Sequence, residues 1–361
     1  MRRLYVLLII FIMLLLGFDI YILNKNLIVD VPKEEQTLND AEDIVNKELN
    51  IGNVVDRSEN GIVLVLNSTT EKYSDTTIQG IGTGFFYREN IIVTNAHVVY
   101  GAKKVYIAMR NDEYSSDRYY LATVKYIDEV ADIAFLEIND YQKFKKENDY
   151  NILKVAPDFI TQVSDDIYSI GHPWGLMHSV SKGIVSNIYR KTTSMPIFYY
   201  QIDSHVFEGN SGGPTINMNG EVICVNSIMV ARNGGSFGLC IPIEYVNKIY
   251  LDHLLYNETR WVYLGIKIDH NKIVYIIADS PAYQYGLKEN DIILGVKTKK
   301  GDILKFENSN ELLNLIWTNN YTDQIEFEIQ RHHDLPVYDL PSNENLTIII
   351  YPEYKYSKDY N

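Results

Sequence analysis

Hydrophobic and polar positions follow two rhythms along the chain. Between Ile62 and Ile243, short apolar or alternating runs recur with turn residues between them: Ile62–Leu66, Gly84–Tyr87, Ile91–Thr94, Val105–Met109, Ala134–Ile138, Ile167–Ile170, Gly183–Ile188, Val222–Asn226 and Phe237–Ile241. Runs this short cannot bury an apolar face without neighbours, so their number and spacing predict an all-β barrel or sandwich. Ile243–Leu255 has helical periodicity and closes the region. After Asn257 the rhythm changes. Strands over Tyr263–Ile268 and Ile273–Ile277 lead to Ser280-Pro281-Ala282 and a short helical segment ending near Gly286. Asp291–Val296, a helix over Glu311–Trp317, a strand over Gln324–Gln330 and a last strand at Leu346–Tyr351 follow. The expected organisation is a mainly β domain over residues 51–256 and a small α+β module over 257–352. Residues 353–361 read as a tail, loose from Tyr354 onward.

The first residues follow neither rhythm. Leu4 to Leu23 is apolar apart from Gly17 and Asp19, and Arg2 and Arg3 precede it. Those 20 residues, at about 1.5 Å of helical rise each, match the thickness of a bilayer core. The arginines predict a cytoplasmic N-terminus with everything after the span outside. A cleaved signal peptide competes with this, but its apolar core is usually about 7–15 residues and ends at a small-x-small site; none precedes Asn24. Residues 1–24 are therefore expected to be an uncleaved transmembrane anchor of a single-pass cell-membrane protein. Residues 25–50 read as an acidic linker in which Leu38, Ala41, Val45 and Leu49 fall at near-helical spacing.

Composition narrows the partners. The formal net charge is −14, and no dense Lys/Arg block follows Arg3. A nucleic-acid partner is not expected, because a phosphate backbone demands clustered cations. The two cysteines, Cys224 and Cys240, exclude a disulfide scaffold and the multi-cysteine zinc folds. If their segments form a hairpin turning near Arg232 and Asn233, the thiols face each other and a cross-strand disulfide fits; two buried free thiols are the alternative. His332-His333 suggests no third ligand and reads as a surface pair, so neither metal nor cofactor is expected.

Three local sequences carry chemistry. Ile91–Val99 delivers His97 to a strand end and follows it with apolar residues that lock it in place. Ala131-Asp132-Ile133-Ala134 sets a carboxylate at the mouth of a buried strand. Glu208-Gly209-Asn210-Ser211-Gly212-Gly213-Pro214 is the most specific. A serine is a poor nucleophile unless a base takes its proton, and the oxygen that becomes negative needs preorganised N–H donors. Glycines before and after Ser211 permit the necessary turn and close approach. His172 and His205 are alternative bases, and Asp128 is an alternative to Asp132. Asp203 reads as a loop hydrogen-bonder.

Gly209–Pro214, with Thr94-Asn95-Ala96-His97-Val98-Val99 and Ala131-Asp132-Ile133-Ala134 upstream, resembles the HtrA (Deg) family of chymotrypsin-fold serine proteases. The resemblance covers roughly residues 50–352. It includes Gly82-Thr83-Gly84-Phe85, Ser169-Ile170-Gly171, Ser181–Ser186 and Phe237–Pro242. It implies a chymotrypsin-like double β-barrel in which His97 is the general base, Asp132 orients it and Ser211 attacks the substrate carbonyl. The oxyanion hole falls to Gly209, Asn210 and Ser211, and the pocket for the residue before the cut to Val206, Ser227, Ile228 and Met229. These pocket residues are small or apolar, so cleavage after Val, Ala or Leu in unfolded or damaged proteins is expected.

Tyr263-Leu264-Gly265-Ile266, Asp279–Ala282 and Gly286–Ile293 resemble a PDZ domain, which implies capture of peptide C-termini at Leu264, Gly265 and Ile266. Arg331–Glu344 departs from that pattern as an insertion. By resemblance alone a homotrimer is implied. Glu208 also departs from the family, placing a charge beside the oxyanion loop. A catalytically silent peptide-binding or chaperone-like protein is the alternative function.

Overall fold

The short apolar runs are strands, and they close on themselves twice. The computed structural model describes residues 55–56, 58–70, 78–109, 119–158, 160–192, 197–232, 235–297, 303–306, 308–318, 324–332 and 343–355. The first barrel comprises β1 (Ile62–Ser68), β2 (Ile78–Arg88), β3 (Ile91–Thr94), β4 (Lys104–Ala108), β5 (Tyr120–Asp128) and β6 (Ile133–Ile138), hydrogen-bonded in the order β1-β2-β3-β6-β5-β4. Two helices belong to it: α1 (Ala96–Val99) after β3, and α2 (Tyr141–Glu147) after β6. The Asp140 side chain caps α2 by accepting the Lys143 N–H. Phe144 of α2 packs into the barrel core beside Val63, Val65, Phe86, Ile92 and Leu136.

The second barrel repeats the plan. It comprises β7 (Asp166–Gly171), β8 (Ser179–Lys191), β9 (Phe198–Ile202), β10 (Pro214–Asn217), β11 (Val222–Arg232) and β12 (Gly235–Pro242), in the order β10-β11-β12-β9-β8-β7. A single apolar cluster spans both barrels, joining Ile62, Phe85, Tyr87, Val93 and Phe135 of the first to Ile170, Tyr199, Val225 and Ile241 of the second. Burial of side chains this size contributes roughly 1.5–3 kcal/mol each. This seam also explains why β1 reads as a continuous apolar run. Val63 and Val65 fill the barrel while Ile62 faces the seam, so both faces of the strand are covered.

Helix α3 (Ile243–Tyr256) follows β12 and seals the seam with Tyr245, Val246 and Ile249. It ends at Asn257, whose left-handed φ of 61° stops the helix where the sequence rhythm changes. Cys224 and Cys240 form a fully buried disulfide between β11 and β12, with Cα atoms 5.6 Å apart.

The remaining residues form an α+β module with β13 (Trp261–Tyr263), β14 (Ile266–Asp269), β15 (Lys272–Ile276), α4 (Pro281–Gln284), β16 (Ile292–Lys297), β17 (Ile303–Leu304), α5 (Ser309–Thr318), β18 (Ile325–His332), β19 (Asn343–Ile350) and β20 (Glu353–Lys355). Its main sheet runs β14-β15-β16-β18-β19, with β17 on β16. Two expectations need correction. Tyr263–Ile268 is not one strand: the chain turns at Leu264-Gly265, where Gly265 has φ +74°, and β13 leaves to pair with β20. That pairing also gives the tail a fixed start, since Tyr354 lies opposite Val262 and the Arg260 guanidinium stacks over its ring. The module rests on both barrels and α3, and Trp261 Nε1 of β13 donates to Asp128 Oδ2 of β5 at 3.2 Å. Tyr245 Oη donates to Asn314 Oδ1 at 2.7 Å, and the Phe198 and Trp317 ring centroids are 5.6 Å apart.

The expected anchor (1–24) and linker helix (25–50) lie outside the described residues. Among the described residues no helix is long and apolar enough to cross a membrane.

The disulfide closes a short loop across neighbouring strands, at a sequence separation of 16. Cys224→Ala/Cys240→Ala is expected to destabilise the protein by about 2–4 kcal/mol. Thermal unfolding followed by scanning fluorimetry measures it, and an unchanged midpoint would show that the pairing contributes nothing.

Candidate active site

His97 stands on α1, a single helical turn that buries Ala96, Val98 and Val99 and leaves the imidazole half exposed. Asp132 occupies the corner before β6 with φ +55° and is buried. The two segments are stitched together by backbone, since the Asp132 carbonyl accepts from Ala96 N–H at 3.1 Å and from Asn95 Nδ2 at 2.9 Å. The carboxylate then meets both the backbone and the ring of His97. Oδ1 accepts the His97 backbone N–H at 2.9 Å, and Nδ1 of the ring lies 2.8 Å from Oδ2. An imidazole held this way keeps Nε2 as its outward nitrogen, the tautomer a general base requires.

Ser227 completes the carboxylate shell. Its hydroxyl donates to Asp132 Oδ2 at 2.8 Å, while its carbonyl accepts the Ser211 hydroxyl at 3.1 Å. One residue of β11 thus bridges the carboxylate of the first barrel and the serine of the second. Ser227 was expected in the pocket wall, yet its side chain serves Asp132. The other expected pocket residues divide: Val206 is buried against the Gly238 position, Ile228 is half-buried and Met229 is exposed at the rim.

The oxyanion loop is defined by where its carbonyls go. In a trans peptide the C=O and the following N–H point in opposite directions. The Glu208 carbonyl accepts the Trp174 N–H at 2.9 Å, so the Gly209 N–H is aimed the other way. The Asn210 carbonyl accepts the Gly213 N–H at 2.9 Å, which does the same for the Ser211 N–H. Among the described residues neither amide donates to any protein acceptor. Asn210 does not join them, because its N–H is spent on the Phe207 carbonyl at 2.9 Å. The expected three-residue hole therefore contracts to Gly209 and Ser211. Gly209 has φ +100°, and a Cβ there would lie 2.4 Å from the His172 carbonyl oxygen, so no other residue fits.

The alternative acid–base groups have other employment. Asp128 accepts Ala131 N–H at 2.7 Å and Trp261 Nε1 at 3.2 Å, which anchors β13 to the first barrel. His205 is exposed and stacks on Phe207. His172 is fully buried, and its Nδ1 accepts the His178 backbone N–H at 3.0 Å. Burial, with His178 as a lesser cause, pushes its imidazole down to about 3.

In the α+β module the Leu264 carbonyl accepts Ala282 N–H at 3.0 Å, and the Gly265 carbonyl accepts Ile277 N–H at 2.8 Å. Ile266 opens β14, which among the described residues pairs with β15 alone. These three residues therefore sit at the head of a strand that no other described strand covers on its second side.

His172 makes stability depend on pH. The unfolded imidazole binds a proton below about 6.5, whereas the folded one resists it down to about 3. Across that window the unfolded state holds more protons, so stability falls as pH falls, by up to ~1.4 kcal/mol per pH unit. His172→Asn, whose Oδ1 stands in for Nδ1, is expected to flatten the decline of the unfolding midpoint between pH 6 and 4. Parallel curves for parent and variant would remove His172 as its source.

The chain is similar to several known proteins. Residues 82–225 match the trypsin-like peptidase domain family. The probable periplasmic serine endoprotease DegP-like of Buchnera aphidicola subsp. Baizongia pistaciae is 30% identical over 240 residues, covering 61% of this chain and 49% of that protein. The mitochondrial serine protease HTRA2 of Drosophila virilis is 28% identical over 258 residues, covering 61% and 58%. The chain spans about half the length of the curated relatives it matches. Among solved structures, the HtrA-type protease AlgW with tripeptide superposes with a TM-score of 0.62 at 19% identity, covering 84% of this chain and 97% of that one. The serine endoprotease from Yersinia pestis gives 0.55 at 23% identity, covering 84% and 98%; at these identities the likeness is one of fold. The chain is thus a homologue of the HtrA and DegP serine proteases, built around a trypsin-like peptidase domain.

Proposed function

We propose that the protein is a serine endopeptidase, anchored in a membrane by residues 1–24 with its catalytic domain outside the cytoplasm. The observation that carries the activity is the Asp132 carboxylate, shared between the His97 ring and the Ser227 hydroxyl, with the Ser227 carbonyl on the Ser211 hydroxyl. Rotation of the Ser211 side chain exchanges that carbonyl for His97 Nε2, a tightening that bound substrate commonly brings about. Ser211 Oγ then bonds to the substrate carbonyl carbon as its proton passes to His97, and Asp132 stabilises the imidazolium. The Gly209 and Ser211 amides take the oxyanion. Collapse breaks the peptide bond, His97 gives the proton to the leaving amine, and water repeats the sequence on the acyl-enzyme.

The pocket supports small or medium apolar residues before the cut. Val206 crowds Gly238, where a Cβ would lie 2.6 Å from its Cγ2, so little room is left between Val206 and this part of β12. Residues with such side chains are mostly buried in folded proteins, which points to unfolded or damaged chains as substrates. Residues 257–352 are read as a PDZ-like module taking peptide C-termini at Leu264, Gly265 and Ile266. The open side of β14 supports strand addition, and solved relatives in the HtrA fold hold a tripeptide and a decapeptide.

The Ser211 hydroxyl on Ser227 favours one rival, a catalytically silent peptide-binding protein. One experiment separates them. The full chain in detergent is incubated with β-casein alongside Ser211→Ala, His97→Ala and Asp132→Asn. Ser211→Ala and His97→Ala are expected to lose activity by about 10⁶-fold, and Asp132→Asn by about 10⁴-fold. Peptide binding without Ser211-dependent cleavage would sink the peptidase reading.

A further inference from the structure

Thr83 lies on β2 of the first barrel, fully buried, and every polar group it owns is committed. Its N–H donates to the Ser211 carbonyl at 2.8 Å, and its carbonyl accepts the Thr94 hydroxyl at 2.7 Å. Its own hydroxyl donates to the Gly209 carbonyl at 2.7 Å and accepts the His172 N–H at 3.0 Å. The backbone bonds of Thr83 are open to any residue but proline. The hydroxyl bonds are not, and they join three segments through a single side chain: β2, the 172–178 turn and the oxyanion loop.

The consequence is geometric. Three successive peptide planes define the oxyanion loop, and each is fixed through its carbonyl. Trp174 N–H holds 208–209, Thr83 Oγ1 holds 209–210, and Gly213 N–H holds 210–211. The outer two holds come from within the second barrel. The middle one comes from the first barrel, which also carries His97. The same hydroxyl anchors His172, two residues before the Trp174 that orients the Gly209 amide. Loss of the hydroxyl therefore frees the middle plane directly and loosens the first through the 172–174 turn. Among the described residues neither freed group has another partner: the Gly209 carbonyl and the His172 N–H are left buried and unpaired, which favours rearrangement of the loop.

Granting the peptidase activity proposed above, we infer that Thr83 is a positioning residue. Its hydroxyl sets the oxyanion-hole amides of the second barrel in register with the histidine of the first. It touches no substrate. Its contribution falls on the transition state, because the amides bear charge only when the carbonyl oxygen becomes negative.

The test uses the full chain with fluorescein-labelled β-casein, and compares the parent with Ser211→Ala, Thr83→Val, Thr83→Ala and Thr83→Ser. Thr83→Val and Thr83→Ala remove the hydroxyl and are expected to lower kcat by about 10–100-fold with KM within about twofold. Thr83→Ser keeps the hydroxyl and should hold kcat within about threefold. A peptidyl boronate ending in a valine analogue, whose tetrahedral adduct on Ser211 presents an oxygen to the hole, should weaken in step with kcat. A merely structural role would instead lower the unfolding midpoint while sparing kcat and boronate affinity in the fraction that stays folded. Parent-like kcat in Thr83→Val or Thr83→Ala overturns the inference, as does a Thr83→Ser that loses as much as they do. A parent no more active than Ser211→Ala would instead sink the peptidase reading, and the role of Thr83 with it.

Discussion

A carboxylate buried between two barrels is costly unless donors surround it, and Asp132 is surrounded from both sides. The first barrel supplies the His97 backbone N–H and ring nitrogen, and the second supplies the Ser227 hydroxyl. An ionised carboxylate left without such partners would lose several kcal/mol of hydration with nothing to offset it. The barrels must therefore pack closely enough to bring β11 up to the corner before β6. The apolar seam through Phe85, Val93, Phe135, Tyr199, Val225 and Ile241 provides that packing. The polar centre and the apolar seam depend on each other. The seam fixes the distance at which the donors arrive, and the donors make the buried charge tolerable.

The same division runs through the oxyanion loop. Gly209 and Gly212 are held where a side chain has no room: a Cβ on Gly212 would lie 2.1 Å from the Thr83 carbonyl. That closeness lets β2 hydrogen-bond to the loop from across the seam. A loop able to turn this sharply has few contacts of its own, so its orientation is borrowed from neighbours. Trp174 lends it from the 172–178 turn and Thr83 from the first barrel. Preorganised amides are worth most where water is kept out and nothing must move during reaction, and borrowed rigidity supplies that condition.

What the sequence made legible follows from how local each signal is. His97, Asp132 and Ser211 each sit in a contiguous motif, because a nucleophile on a tight turn and a base at a strand end need particular immediate neighbours. Most barrel strands were legible for the same reason, through their apolar runs. Tyr120–Asp128, Phe198–Ile202 and Pro214–Asn217 were not. The first mixes buried and exposed positions without a period, the second is mostly aromatic, and the third is four residues long. Tyr263–Ile268 misled because its apolar pattern runs straight through the turn at Gly265. Ser227 and Thr83 carry no local mark of what their hydroxyls do; each acts across the seam, and only the packing of two barrels brings its partner into reach. Asn210 erred the other way. Sequence proximity put it in the hole, but alternate peptide planes face alternate ways.

With His97 and Asp132 on one barrel and Ser211 and its loop on the other, the activity proposed above is a property of the seam. Asp132 is tied to the Asn95–His97 segment by five contacts within the first barrel. Ser211 and its loop belong to the second. Among the described residues four hydrogen bonds cross between the two barrels at the site: Ser227 on the carboxylate, Thr83 Oγ1 on the Gly209 carbonyl, His172 N–H on Thr83 Oγ1, and Thr83 N–H on the Ser211 carbonyl. Their strength falls steeply with misalignment, whereas the apolar contacts beneath them tolerate small shifts. A displacement too small to unfold the seam therefore degrades the catalytic register first. The α+β module touches this arrangement from both sides, through Trp261 of β13 on Asp128 of the first barrel and through Phe198 of β9 and Tyr245 of α3 on the second. Tyr199 follows Phe198 directly in the chain and belongs to the apolar cluster that joins the barrels. The module is thus coupled to the seam twice, through β9 on the second barrel and through Asp128, which also accepts the Ala131 N–H beside Asp132 on the first.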